Sequence, residues 1–176
     1  MGKLTEGDTS SSGSWFRTKD LKDTPAKLRI LSDPMTGYER WTVEGKPLRA
    51  QSKAELLETG ADWRVEKGKQ DEPKFFAAFF VWNHNTKTVQ VAQFTQKTIR
   101  QQLEALENNE DWGDLKGFDV TLSRTDAGDK VSYTVQPSPA KPLPKNAEAE
   151  WQRVQDECVG LAALFSGGNP MDVFGS

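Results

Sequence analysis

The strongest apolar segment of this chain is Lys74-Phe-Phe-Ala-Ala-Phe-Phe-Val-Trp82. A β-strand alternates its side chains between two faces, so one face would carry Phe75, Ala77, Phe79 and Val81 and the other Phe76, Ala78, Phe80 and Trp82. The next residues, Asn83-His-Asn-Thr86, have turn chemistry, and residues 87–94 return with strand-like composition. The segment therefore predicts a β-hairpin.

On either side of this hairpin the chain predicts further short elements. Two strands over residues 28–31 and 36–43 come first, and a brief helix over residues 52–58 follows with Ser52 as its cap. After the hairpin, Thr95 is expected to cap a helix that aligns Ile99, Leu103 and Leu106 on one face. A second hairpin pairs residues 118–124 with 131–136. This pattern predicts a mainly β (α+β) fold, a small OB-like curved β-barrel with one helix between hairpins and a C-terminal helix and tail. A mixed α+β sandwich is the alternative.

The remaining segments suggest the following division of the chain. Residues 1–14 are small and polar and are expected to form a disordered arm. The OB-like domain would span 15–136, and the proline-rich stretch 137–146 would be an extended linker. Residues 147–166 have a helical apolar stripe that includes Cys158, and 167–176 would be a flexible tail.

Composition argues against several classes of protein. There is one cysteine, Cys158, and one histidine, His84, so an intrachain disulfide, a multi-cysteine zinc site and histidine-based catalysis are not expected. No phosphate-binding loop, nucleophile elbow or dinucleotide fingerprint occurs. The carboxylates Glu107, Glu110, Asp111 and Asp114 could hold a divalent ion, but such a run is more typical of a solvated helix end. We therefore expect no enzyme activity, no cofactor and no metal. With no secretory signal and no apolar run long enough to span a membrane, we expect a cytoplasmic protein.

Charge is distributed unevenly along the chain. Residues 15–103 contain 16 Lys and Arg against 11 Asp and Glu, whereas residues 104–176 contain 6 against 13. A basic body followed by an acidic end suggests partners of opposite charge, although ordinary scatter over a solvated surface would look similar.

Aromatic residues next to basic ones form the most informative pattern. Single-stranded nucleic acid is bound by cations that follow its phosphates and by flat rings that stack on its bases. The residues that fit these roles, and that we expect to bind DNA, are Tyr38, Arg40, Trp41, Lys46, Arg49, Lys74, Trp82, Lys87, Lys97 and Arg100. Stacking is assigned to Tyr38, Trp41 and Trp82, although a core position for Trp41 fits equally well. Phe75, Phe79 and Phe94 are expected in the core.

Three regions resemble the single-stranded DNA-binding proteins of tailed bacteriophages, which are OB-fold replication accessories. They are Thr36-Gly-Tyr-Glu-Arg-Trp-Thr-Val-Glu-Gly-Lys-Pro-Leu-Arg49, Phe80-Val-Trp-Asn83 through Gln93-Phe-Thr-Gln-Lys97, and Asp111-Trp-Gly-Asp114 with the proline-rich run 137–144. The resemblance covers residues 15–145 and implies a protein that binds exposed template during phage DNA replication, recombination and repair in the bacterial cytoplasm. It also implies a C-terminal tip, Asp172-Val173-Phe174, that contacts replication proteins. Zinc binding does not carry over, because the chain has too few cysteines and histidines.

Other readings remain open. The C-terminal helix could dock on the barrel or pair with another copy of the chain. A small phage protein that binds and inhibits a host enzyme is the alternative function. RNA binding and a metal-dependent nuclease are more distant alternatives.

Overall fold

The computed structural model describes residues 13–175, so the predicted arm over 1–14 lies almost wholly outside the described residues. It confirms the first hairpin. Strand β7 (Lys74–Asn83) pairs antiparallel with β8 (Thr88–Phe94), from Ala77 opposite Phe94 to Asn83 opposite Thr88.

Strand β7 lies at the centre of the main sheet. Along its second edge it pairs with β3 (Met35–Trp41) over its first half and with β2 (Ala26–Ile30) over its second half. Strand β2 also pairs with β9 (Asp119–Ala127), which pairs with β10 (Lys130–Pro137). The order β8-β7-β2-β9-β10, together with the other strands, makes a curled half-barrel. The predicted mainly β, OB-like fold is confirmed.

Shorter elements complete the fold. Strand β1 (Trp15–Phe16) pairs in parallel with β8, and β4 (Pro47–Ala50) pairs with β3. Strands β5 (Val65–Glu66) and β6 (Lys69–Gln70) form a separate small hairpin. The α-helices are α1 (Lys53–Glu58), α2 (Lys97–Glu107) and α3 (Lys145–Glu157), and 3-10 turns cover Thr18–Lys22, Leu115–Gly117 and Leu161–Ser166.

Helix α2 closes the inner side of the half-barrel. Its Ile99 and Leu103 are buried against the inward-facing side chains of the sheet, among them Phe79 and Phe94, which confirms these two phenylalanines as core residues. The predicted Ser52 cap of α1 is also confirmed, since its Oγ accepts a hydrogen bond from the Glu55 amide at 3.2 Å. The predicted cap of α2 is wrong by one residue: Gln96, and not Thr95, precedes the helix, and it makes no side-chain cap bond.

The C-terminal helix is shorter than the predicted 147–166. Helix α3 ends at Glu157, because the backbone of Cys158 is already extended, with a ψ of 153°. Gly160 then adopts a φ of 93°, which glycine tolerates, and leads into the 3-10 turn Leu161–Ser166. Both pieces pack on the outer face of β7 and β8: Trp151 lies 5.3 Å from Phe80, ring centroid to ring centroid. The helix thus docks on its own barrel.

Gly37 shows how closely the turn Leu161–Ser166 approaches the sheet. A Cβ atom added at Gly37 would lie 2.7 Å from the Ala50 carbonyl oxygen and 2.9 Å from a ring atom of Phe165. A glycine is therefore required at this position of β3 by packing, and not by an unusual φ.

The linker and tail are held against the body. Residues 138–144 have no regular structure, yet the Arg29 guanidinium donates to the Lys141 carbonyl at 2.9 Å. In the tail, the Phe174 amide donates to the Glu157 carbonyl and the Val159 amide to the Asp172 carbonyl, both at 2.9 Å. Residues 167–175 therefore fold back beside the end of α3, in contrast to the free tail expected from the glycines.

Candidate nucleic-acid interface

An aromatic pair flanked by two cations lies on the inward-facing side of β3 and β7, next to helix α2. Tyr38 on β3 is directly opposite Phe75 on β7, and their half-buried rings meet edge to face with centroids 5.4 Å apart. The Lys53 ammonium lies 5.5 Å from the Tyr38 ring centre, and the Arg100 guanidinium lies 4.8 Å from that of Phe75. We call these four residues the Tyr38–Phe75 platform.

One more predicted cation lies next to the platform. Lys97 is exposed on α2, one helical turn before Arg100. Lys74 is exposed at the start of β7, but strand alternation places it on the opposite face from Phe75, where it pairs with Glu39 of β3 in the register. The strand register and helix α2 thus bring together Tyr38, Lys97 and Arg100 from separate parts of the predicted set.

A second aromatic and basic cluster lies farther along β3. The buried Arg40 side chain donates from Nε to the Asp71 carbonyl at 2.6 Å, and its guanidinium lies 4.4 Å from the centre of the Trp63 ring. These contacts occupy Arg40, so it is not placed to neutralise a phosphate as predicted. Trp41 is half-buried, and the Arg64 guanidinium lies 5.4 Å from its ring centre.

Arg49 is also held by partners. It forms an ion pair of 3.0 Å with Glu39, in which both side chains are about nine-tenths buried, and its Nε donates to the Gln93 amide oxygen at 2.7 Å. Burial lowers the pKa of the Arg49 guanidinium, and the Glu39 carboxylate opposes that shift. The predicted phosphate contact at Arg49 does not agree with this geometry.

The other predicted residues are spread over the molecule. Trp82 is 3% exposed in the core under α3, so the expected stacking position is closed. Lys87 is exposed in the turn after β7, about 30 Å from Lys74 at the usual rise per strand residue. Lys46 is exposed in the turn between β3 and β4.

Helix α3 and the turn Leu161–Ser166 determine which face of the half-barrel is accessible. OB folds commonly bind oligonucleotides on the face of their second and third strands and on the neighbouring loops. Here those strands are β7 and β8, and α3 with the turn Leu161–Ser166 covers their outer face. The Tyr38–Phe75 platform lies on the inward-facing side of β3 and β7, away from this cover.

Asp119 is the centre of a buried polar cluster that the sequence analysis did not identify. Its carboxylate is fully buried and accepts from the Arg29 Nε at 2.9 Å, and His84 Nε2 lies 2.9 Å from the same oxygen. Burial alone would raise the pKa of Asp119, but the hydrogen bond with His84 and the charge of Arg29 outweigh it and lower that pKa. His84, the one histidine of the sequence, is therefore a partly buried partner of this carboxylate.

Several other residues of the platform and clusters were missed. Lys53, Trp63 and Arg64 are distant in sequence from the strands that they approach. The position of Lys53 could have been predicted in part from the sequence. Lys53 directly follows the Ser52 cap and lies on the same face of α1 as Leu56, which packs on the sheet.

Cys158 is buried, its thiol donates to the Met171 carbonyl at 3.3 Å, and burial raises its pKa. Among residues 13–175, no group of three or more His, Cys, Asp or Glu side chains is arranged to hold a metal ion. Nor does any helix in that range have the length and apolar character needed to cross a membrane.

Comparison with known proteins finds no relative of this chain. No family model, curated protein or solved structure matches it.

Proposed function

We propose that this protein binds single-stranded DNA without strong sequence specificity, on a surface centred on the Tyr38–Phe75 platform. The observation that supports this is the pair of half-buried rings with a lysine and an arginine directly beside them. Rings of this kind stack on bases at about 1–3 kcal/mol per base, while the cations attract phosphates. Lys97 extends the basic surface along α2.

In this proposal the protein is a non-catalytic accessory of phage DNA replication, recombination and repair, acting in the cytoplasm of the bacterial host. It resembles the phage single-stranded DNA-binding proteins in this role. The tip Asp172-Val173-Phe174 is the proposed contact for replication proteins. Phe174 is 64% exposed and Val173 44%, next to the Asp172 carboxylate, so the tip offers apolar surface with an acidic neighbour.

The experiment is a titration of a labelled oligothymidylate, followed by fluorescence anisotropy at several salt concentrations. Each phosphate neutralised contributes about 0.7 to the slope of log affinity against log salt. The Lys53→Gln and Lys97→Gln variants should each bind more weakly and each lose about that much slope. The matched control is Lys87→Gln, an exposed lysine at the far end of the hairpin, which should leave affinity and slope unchanged.

The same titration with duplex DNA and with RNA of the same length tests whether the protein prefers single-stranded DNA. If the wild-type protein binds none of these nucleic acids at low salt, the proposal is wrong. The hypothesis to test next is then that the protein binds and inhibits a host enzyme. If Lys87→Gln weakens binding as much as Lys53→Gln does, the DNA does not centre on the platform.

A further inference from the structure

The outer side of β9 and β10 is polar, whereas the inner side of the same strands carries Leu122 and Val135 in the core. Residues directly opposite each other in the register share a side of the sheet. On the outer side these pairs are Thr121 with Gln136, Ser123 with Thr134, and Thr125 with Ser132. All six residues are exposed or half-buried, and five of them carry a hydroxyl group. We call these six residues the hydroxyl face.

Lysines lie at both ends of the hydroxyl face. At one end the exposed Lys130 is opposite Ala127, beside the turn that joins β9 to β10. At the other end Lys27 of β2 is opposite Thr121, and Lys141 of the linker lies beside it. The two ends are about 20 Å apart at the usual rise per strand residue.

Positive charge exceeds negative charge on this surface. Of the residues that β9 and β10 place on the outer side, Asp119 alone has a carboxylate, and it is fully buried. Its charge is already matched by the Arg29 guanidinium at 2.9 Å. The Lys27 and Lys141 ammonium groups approach the other carboxylate oxygen at 3.9 and 3.7 Å, and their side chains are 39% and 51% exposed. One buried carboxylate therefore leaves an excess of cationic side chains next to solvent.

Lysines and hydroxyl groups are the side chains that contact the phosphates of DNA. Binding of a single strand also uses aromatic rings that stack on its bases. On the outer side β9 and β10 carry no aromatic residue, since Tyr133 lies on the inner side with the core. A surface that offers contacts to phosphates and none to base faces is complementary to a duplex, in which the bases are already stacked and paired.

We propose that the hydroxyl face, together with Lys27, Lys130 and Lys141, binds the sugar-phosphate backbone of duplex DNA without reading its sequence. This site goes beyond the proposed function, because it lies on the opposite side of the sheet from the Tyr38–Phe75 platform. Duplex DNA bound there leaves the platform accessible to a single strand.

The test is a titration of a short labelled duplex, followed by fluorescence anisotropy at several salt concentrations. Each phosphate neutralised on a duplex contributes about 0.9 to the slope of log affinity against log salt. Lys27→Gln and Lys130→Gln should each lose about that much slope and bind about tenfold more weakly at about 50 mM salt. Thr134→Glu introduces a negative charge at an exposed position in the middle of the face and should weaken duplex binding further.

The matched control is Lys53→Gln, which removes an exposed lysine from the platform. It should bind the duplex as the wild-type protein does. Conversely, Lys130→Gln and Thr134→Glu should bind oligothymidylate with wild-type affinity, which also shows that these variants are folded.

The outcomes separate this inference from the proposed function. If the wild-type protein does not bind the duplex at low salt, the duplex site is refuted, whatever oligothymidylate does. Duplex affinity that Lys130→Gln and Thr134→Glu leave unchanged, or that Lys53→Gln lowers as much as they do, also refutes it. Failure of oligothymidylate to bind contradicts the proposed function alone.

Discussion

The buried residue Asp119 connects three separate parts of the fold. Its carboxylate joins β9 to Arg29 of β2 and to His84 of the hairpin turn, and the Ser138 amide donates to its carbonyl at 2.9 Å. Sheet, turn and linker therefore meet at one residue, through its side chain and its backbone carbonyl. A carboxylate with no exposed surface is tolerated because a guanidinium neutralises it.

Replacing this carboxylate should strongly destabilise the protein. Asp119→Asn removes the charge and leaves the 3%-exposed Arg29 guanidinium buried without a counter-ion, which typically costs about 3–5 kcal/mol in the free energy of unfolding. Urea unfolding followed by tryptophan fluorescence measures this. Asp126→Asn is the control, because it removes an aspartate from the exposed pair with Arg124 and should unfold near the wild-type midpoint.

The same carboxylate predicts a dependence of stability on pH. The pKa of Asp119 is lower in the folded protein than in the unfolded chain, so its contribution is present above the ordinary aspartate pKa of about 3.9. It is lost as the pH falls through the lower, folded-state value. The wild-type free energy of unfolding should therefore decrease more steeply below pH 4 than that of Asp119→Asn. Parallel curves for the two proteins would contradict this assignment.

At the scale of elements, helix α2 protects an edge of the sheet. Strand β10 pairs with β9 on one side only, and an unpaired strand edge invites association with other chains. The Gln102 side chain covers part of this edge: its amide donates to the Tyr133 carbonyl at 2.9 Å, and its oxygen accepts from the Val135 amide at 2.8 Å. One side-chain amide thus makes the two bonds that a neighbouring strand would make.

Removing that amide should uncover the edge. Gln102→Ala leaves the Tyr133 carbonyl and the Val135 amide without these partners and should lower the free energy of unfolding by about 1–3 kcal/mol. Its sedimentation should also show more self-association at high concentration. The neighbouring Gln101→Ala, at an exposed position of the same helix, should behave as wild type. If both variants are equally stable, Gln102 has no protective role.

At the scale of the whole molecule, the C-terminal segment completes the core. The outer face of β7 and β8 carries Phe76, Phe80 and Trp82, and these are buried only because α3 and the turn Leu161–Ser166 lie over them. Without that cover the sheet would expose a continuous apolar patch.

A chain that ends at residue 144 should therefore not behave as a monomer. We expect it to bind a hydrophobic dye strongly and to aggregate, as measured by size-exclusion chromatography. A chain that lacks only residues 174–176 removes the exposed Phe174 and keeps the cover, so it should elute as the full-length protein does. A well-behaved monomer from the shorter chain would show that the segment is a separate appendage.

The local patterns of the sequence determined both hairpins and the presence of three helices, because strand alternation and helix spacing act over a few residues. The order of these elements along the chain predicted the OB-like arrangement, which the structure confirms. They did not determine which aromatic rings would be accessible. Residues 74–82 are apolar on both faces, so their alternation could not show that a segment from the far end of the chain would bury Trp82. Likewise, Arg40 and Arg49 look like free cations in the sequence, and their partners Asp71 and Gln93 lie far from them along the chain. Only the tertiary structure brings those partners into contact, and a charge buried among them cannot also serve a phosphate. The Tyr38–Phe75 platform arose in the same way, from a strand register that no local pattern encodes.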